Sequence, residues 1–390
     1  MWLSDFRIVT PTEVIEHGSL RIEDGHIAEL REGPVAGASL QGNGLLLLPG
    51  FVDMHGDMVE REVEPRPNVP MPLELGLRDL DRRLAGAGFT TAYAAVSFSP
   101  MSTYGHLRSY EHTSAVIRKL KAMRDSLNVD HRVHARFEIT FPKALDVIGE
   151  LISEGTVDLI SLTDHTPGQG QYRDIERHAQ KMAREKGMSR EEAAEAIARR
   201  IEERTQPADV LAATLSAISD LCRSHGVALA SHDDDTLAKV ALMQGLGVVI
   251  SEFPVTLEAA REARRLGLAT AMGAPNALRG QSYSGNLSAR EAHATGVLDM
   301  LASDYHPSAM LPALLELAKT DPAGLPGAVR LATRNPSESL GLTDRGSLET
   351  GRLADLVIAD ETDIGHIRAT LRQGRFIYSD GSLGSTLRAA

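Results

Sequence analysis

The stretch Leu48–Pro67, LPGFVDMHGDMVEREVEPRP, decides how the whole chain is read. The apolar run Leu45–Val52 is long enough for a strand buried on both faces, and it delivers His55 and Asp57 where such a strand ends. Side chains two residues apart leave a strand on the same face. An imidazole and a carboxylate held side by side make half of a metal site, whose other ligands must come from elsewhere in the chain. Taken alone, the pair reads better as a satisfied histidine beside a solvated aspartate; the rest of the sequence reverses that reading.

On the carboxyl side, apolar runs rich in β-branched residues alternate with helical patterns, the signature of βα units around a parallel sheet. Eight strands are predicted: 51–55, 90–96, 133–139, 158–163, 227–231, 248–252, 268–272 and 297–303. Eight such units fit a (β/α)8 TIM-like barrel, with its site at the carboxyl ends of the strands. The alternative, a doubly wound open sheet, lacks a Gly-x-Gly-x-x-Gly turn. On the amino side, short alternating segments at 6–9, 18–22 and 26–30 are punctuated by Pro11-Thr12 and Asp24-Gly25. The same pattern returns at 355–359, 367–371 and 375–378, so residues 1–50 and 347–390 are expected to form one small β-sandwich domain built from both termini, with the barrel over 51–346.

One insertion differs in composition. Residues 173–206 are densely charged, with a break at Gly187 and Ser189 placed to cap a second helix ahead of Glu191-Glu192. This predicts a helical hairpin after the fourth strand, either a solvated face or a lid over the barrel mouth.

Composition sets the outer limits. The chain of 390 residues carries a formal net charge of -12, which argues against general nucleic-acid binding. A single cysteine, Cys222, excludes an internal disulfide, and no apolar run reaches the roughly 18 residues of a membrane span. The amino terminus, MWLSDFRIVTP, does not read as a secretion signal, so a cytoplasmic location is expected. A homo-oligomer is left open.

The strand ends carry the chemistry. The first gives His55 and Asp57, the third Glu138, the fourth Asp164-His165, the fifth His232 and the eighth Asp304. Five strands ending in metal-competent or acid–base residues point to a catalytic metal site. Imidazole and carboxylate donors suit a divalent ion, one or two per chain: zinc first, with manganese and iron as alternatives.

These positions resemble the amidohydrolase superfamily, and the resemblance covers nearly the whole chain. It narrows in the strings HGDMVEREVEPRP, VHARFEI, SLTDHTPGQGQY, ASHDDDT, SEFPVTLEAA, MGAPNALRGQSYSGNLSARE and LASDYHPSAML. Together they are similar to the diphosphatases of the carbon-phosphorus lyase pathway (the PhnM family). Those enzymes of phosphonate metabolism hydrolyse α-D-ribose 1-methylphosphonate 5-triphosphate to the 5-phosphate and pyrophosphate. The resemblance implies metal ligands at His55, Asp57, His165 and His232. It puts Glu138 in the bridging place that a carboxylated lysine fills in many relatives, and Asp304 as the group that orients and deprotonates the hydrolytic water.

A triphosphate also requires cationic clamps and backbone donors. Arg66, held between Pro65 and Pro67, is one candidate. The loop 273–286 is another, with Arg279, Ser284, Gly285 and Asn286 offering charge, hydroxyl and amide groups. A deaminase or cyclic amidase acting on a C–N bond is the alternative within the superfamily, and a metal-stabilised binding protein without turnover is the alternative outside it.

Overall fold

A computed structural model describes residues 1–66, 69–100, 106–282 and 285–383. Strands β1 (Trp2–Val9), β2 (Val14–Glu23), β3 (His26–Glu32), β4 (Leu40–Gln41) and β5 (Leu46–Pro49) join the carboxyl-terminal strands β14 (Leu356–Asp360), β15 (His366–Arg372) and β16 (Arg375–Ser379). All eight form one mixed sheet, ordered β16-β15-β14-β5-β1-β2-β3 with β4 on β1. The expected sandwich is therefore one continuous sheet drawn from both ends of the chain.

Period-two alternation gives its central strands two cores. Leu47, Leu356 and Ile358 point into the sheet's own apolar cluster with Leu3, Phe6 and Leu20. Leu46, Leu48, Val357 and Ala359 point the other way, into the core shared with the barrel. The run Leu45–Val52, expected as one strand, is thus two. The chain changes sheets at Gly50, whose backbone N–H donates to Asp355 O at 2.8 Å. A side chain there would meet Thr90 Oγ1 at 2.4 Å, so only glycine lets the two sheets approach this closely.

The second sheet is the barrel: β6 (Phe51–Gly56), β7 (Phe89–Ser97), β8 (Asp130–Glu138), β9 (Leu159–Thr163), β10 (Ala228–His232), β11 (Ile250–Glu252), β12 (Ala269–Gly273) and β13 (Met300–Ala302). Each strand pairs in parallel with its neighbour in sequence. Closure is made between β6 and the second residue past β13: Asp304 N–H donates to His55 O at 3.0 Å, and Asp57 N–H donates to Asp304 O at 2.9 Å. Val52, Met54, Tyr93, Leu159, Ala230, Ile250, Ala271, Met300 and Ala302 fill the interior. Polar groups therefore collect one residue pair further on, at the carboxyl ends.

The insertion is a helical hairpin, Ile175–Lys186 and Arg190–Arg204. Gly187 (φ 64°) ends the first helix in the left-handed conformation, and Ser189 with Glu192 forms a reciprocal capping box at the second. Met182, Ala193 and Ile197 give the hairpin a small core of its own. Its last residue, Arg204, is buried, with Nη1 3.6 Å from Glu138 Oε1, so the hairpin is anchored on the barrel's carboxyl face. Among the described residues no helix is long and apolar enough to cross a membrane.

Candidate active site

Alternation along the barrel strands sets which side chains reach the site. Since Ala230 and Ile250 are interior, so are the residues two further on, His232 and Glu252. Asp304, past the end of β13 with φ 56°, is brought to the site by the closing pair with β6. On β8 the outward residues Val133, Ala135 and Phe137 join the outer core, which turns His134, Arg136 and Glu138 inward as a row. His55 breaks the alternation set by Val52 and Met54. The pairing of β6 with β7 shifts register between Asp53 and Gly56, and this irregularity brings His55 inward. Buried Asp53 fixes the bend by accepting from the backbone N–H of His55 at 3.2 Å and of Ser303 at 2.9 Å.

Two buried groups have metal-ligand spacing. The deeper is His55, His134 and Glu252; the second is His165, His232 and Asp233. In the deeper group His134 Nδ1 lies 3.1 Å from Met54 O, so Nδ1 carries the hydrogen and Nε2 is left as a bare lone pair. That Nε2 faces Glu252 Oε1 at 3.4 Å, and His55 Nδ1 faces the same oxygen at 3.5 Å. All three atoms are buried without a hydrogen-bond partner. Unpaired buried polar atoms are costly, and a cation among three such atoms removes the cost. The donor set therefore fits a divalent ion.

Electrostatics agree. Burial holds His55 and His232 well below the ordinary imidazole range, helped by the Arg136 charge. Burial brings His134 down to about 3 despite the nearby Glu252. All three are thus neutral at physiological pH, the state in which imidazole ligates a metal. Burial raises Glu252 to about 6 against the pull of His134 and Arg136, so it is largely ionised at neutral pH.

The second group is arranged differently. His165 Nδ1 is 2.6 Å from Glu138 Oε2, and its backbone N–H donates to Glu138 Oε1 at 3.0 Å. Both histidines direct Nε2 at the Arg136 guanidinium, which approaches His232 at 3.2 Å and His165 at 3.5 Å. A protein cation already lies between them.

Of the residues singled out in sequence, His55, His165 and His232 fall in these groups, while Asp57 and Glu138 stand outside both. Asp57 Oδ2 lies 3.7 Å from Arg136 Nη1. Glu138 sits behind His165 as the carboxylate that orients its ring. Asp304 lines the main cavity, of about 760 Å3, with His55, Asp57, Arg61, Arg136, His232, Arg279 and Asn286. Burial, then the Asp57 charge, raises Asp304 to about 7.

Arg66 is exposed and absent from the cavity lining. The short helix Val59–Val63 turns the chain so that Arg61 enters it instead. Gly285 and Asn286 line an adjoining cavity, and Ser284 lies outside the described residues. His134, Arg136 and Glu252 escaped the sequence reading. The inward row of β8 was legible as His-x-Arg-x-Glu within VHARFEI, and Glu252 closes a strand that had been assigned.

Comparison with known proteins agrees with this architecture. The chain is 36% identical over 388 residues to the alpha-D-ribose 1-methylphosphonate 5-triphosphate diphosphatase of Escherichia coli (strain K12), covering 97% of this chain and 100% of that one. N-acetyl-D-glucosamine-6-phosphate deacetylase from Mycobacterium smegmatis superposes with a TM-score of 0.63 at 19% identity, covering 97% of this chain and 100% of that one. Dihydropyrimidinase from Brevibacillus agri NCHU1002 gives 0.62 at 12% identity, covering 97% and 95%. The model of the amidohydrolase family matches residues 46–381. The chain belongs to the amidohydrolase family.

Proposed function

We propose that this hydrolase cleaves a ribose 5-triphosphate bearing a 1-phosphonate, releasing pyrophosphate and leaving the 5-phosphate. The observation that carries the reading is the main cavity, where Arg61, Arg136 and Arg279 face the same space as Asp304 and His55, the one member of the deeper metal-competent group that lines it. The end-to-end similarity to the Escherichia coli diphosphatase supports the same substrate.

His55, His134 and Glu252 would hold the divalent ion, zinc first and manganese or iron as alternatives. When bound, it supplies Lewis-acid polarisation and a more acidic water. Asp304 accepts the proton of the attacking water. The water oxygen bonds to the α-phosphorus, the bond from that phosphorus to the bridging oxygen breaks, and the electron pair leaves with pyrophosphate. The guanidinium groups of Arg61, Arg136 and Arg279 bind phosphate oxygens and stabilise the charge that develops on the leaving group. Arg136 is held for this by His165 and His232, and His165 in turn by Glu138.

The test is to incubate metal-supplemented protein with ribose 1-methylphosphonate 5-triphosphate, nucleoside triphosphates and a panel of amides, following phosphorus resonances and ammonia. Pyrophosphate released chiefly from the first substrate is expected. Ammonia from the amide panel without pyrophosphate from any triphosphate would replace this reading with C–N hydrolysis.

A further inference from the structure

We propose that the basic face of the insertion helix Ile175–Lys186 is the subsite for the two terminal phosphates, so that the insertion holds the leaving pyrophosphate. The proposal rests on the triphosphate reading above. Arg177, Lys181 and Arg184 recur at intervals of four and three residues, which places them on one face of the helix. That face lines a cavity of about 460 Å3 opposite Gly285 and Asn286. Gln171 and Asn286 line this cavity and the main one alike, so the two are contiguous.

Three observations favour an anion here. The first is charge: with Arg173, four cations line the cavity against Asp174 and Glu185, in a chain whose net charge is -12. Asp174 is engaged in capping, its Oδ1 accepting from Arg177 N–H at 2.9 Å. Among the described residues, Arg173, Arg177 and Arg184 make no ion pair with a carboxylate, unlike most arginines of this protein.

The second is placement. A Cβ on Gly285 would lie 2.4 Å from both Nη1 and Nη2 of Arg177, so the guanidinium rests against the bare backbone of the 285–286 segment, at the junction of the cavities. The third is that the helix's apolar side is already used. Met182, Ala179 and Ala183 pack on Ala193 and Ile197 of the companion helix, which turns the basic residues toward the cavity. A fork of guanidinium donors suits the terminal oxygens of a diphosphate, and its charges favour the departing group over a monophosphate.

The experiment compares wild-type enzyme with the double variant Arg177→Ala/Arg184→Ala and with Lys186→Ala, a cation on the same helix outside the cavity lining. Calorimetric titration with inorganic pyrophosphate is paired with steady-state kinetics on the triphosphate. Circular dichroism and metal content verify the fold, and Arg177→Lys/Arg184→Lys keeps the charge should the alanine variant fail to fold. The expected result is a loss of tenfold or more in pyrophosphate affinity and a matching rise in KM for the double alanine variant. Recovery in the lysine pair and an unchanged Lys186→Ala complete the pattern.

Pyrophosphate affinity and KM within twofold of wild type in the double alanine variant would overturn the subsite, as would a wild-type enzyme that does not bind pyrophosphate. If wild type binds pyrophosphate through these arginines yet releases none from the triphosphate, the subsite stands and the proposed reaction falls.

Discussion

The start and the middle of strand β8 hold polar side chains in opposite ways. At its start, Asp130 is buried and its oxygens are taken: Oδ1 accepts from Arg124 Nε at 2.9 Å and Nη2 at 2.6 Å, and Oδ2 from Arg345 Nη1 at 2.8 Å. Midway along it, His134 Nε2 is equally buried and has no hydrogen-bond partner. One strand thus carries a closed ion-pair network at its start and an open donor set midway along it. Charges that pair with each other contribute to stability. Donors held apart from any partner keep a binding potential, and the fold sustains their cost only where a ligand removes it.

The largest effect expected lies at the open donor set. Chelation of the metal is expected to abolish turnover, and Glu252→Gln to lower metal per chain to a small fraction of wild type, because it removes the one carboxylate of the deep group. Metal analysis beside circular dichroism checks this; stoichiometric metal in a folded Glu252→Gln would erase the contrast between the two stretches.

Next comes Asp304→Asn. It is expected to keep fold, metal and substrate affinity while losing on the order of a hundredfold in kcat, since amide cannot accept the water's proton. Near wild-type turnover by a metal-loaded variant would make Asp304 structural, like Asp130.

At the start of the strand, Asp130→Asn is expected to cost on the order of 3 kcal/mol in unfolding free energy, with kcat unchanged in the folded enzyme, because half-buried arginines lose their buried counter-charge. Against the opposing effect of burial, Arg132, Arg124 and Arg345 hold Asp130 down at about 2. A carboxylate whose folded pKa is depressed stabilises the protein above its unfolded value and ceases to do so as pH falls through the folded one. Its contribution should therefore fade between about pH 4 and pH 2. Acid-unfolding curves should show a shallower slope in that window for Asp130→Asn.

The smallest effect sharpens the comparison from outside. Arg66→Ala should change KM by less than about twofold, whereas Arg61→Ala, facing the cavity, should raise it several-fold. Parallel kinetics on the two variants decides between them; a larger effect at Arg66 would restore the clamp read from the Pro65–Pro67 segment.

The eight barrel strands and the pairing of both termini in β structure were legible, though as a sandwich and not as the single sheet they form, because they depend on period-two patterning and on turn residues, which are local properties of the chain. His55, His232 and Asp304 were legible for the same reason: a strand that must be buried announces its own end, and a polar residue there has few other purposes. The helical hairpin announced itself through Gly187 and Ser189.

Partnership was a different matter. Glu252 ends a strand that the sequence predicts, yet nothing in SEFP says that its carboxylate meets an imidazole from residue 134 and another from residue 55. Glu138 and His165 lie 27 residues apart, and which ring nitrogen meets which oxygen depends on how two strands register. Arg61 and Arg66 differ in sequence only by their neighbours, yet one helical turn brings the first into the cavity and leaves the second outside. The sequence alone therefore determined the architecture and the kind of chemistry, since local patterning dictates elements and composition dictates donors. Tertiary structure alone decided which donors converge, because barrel closure, the shift in register at Asp53–Gly56 and the docking of Arg136 between two histidines are contacts between residues far apart in the chain.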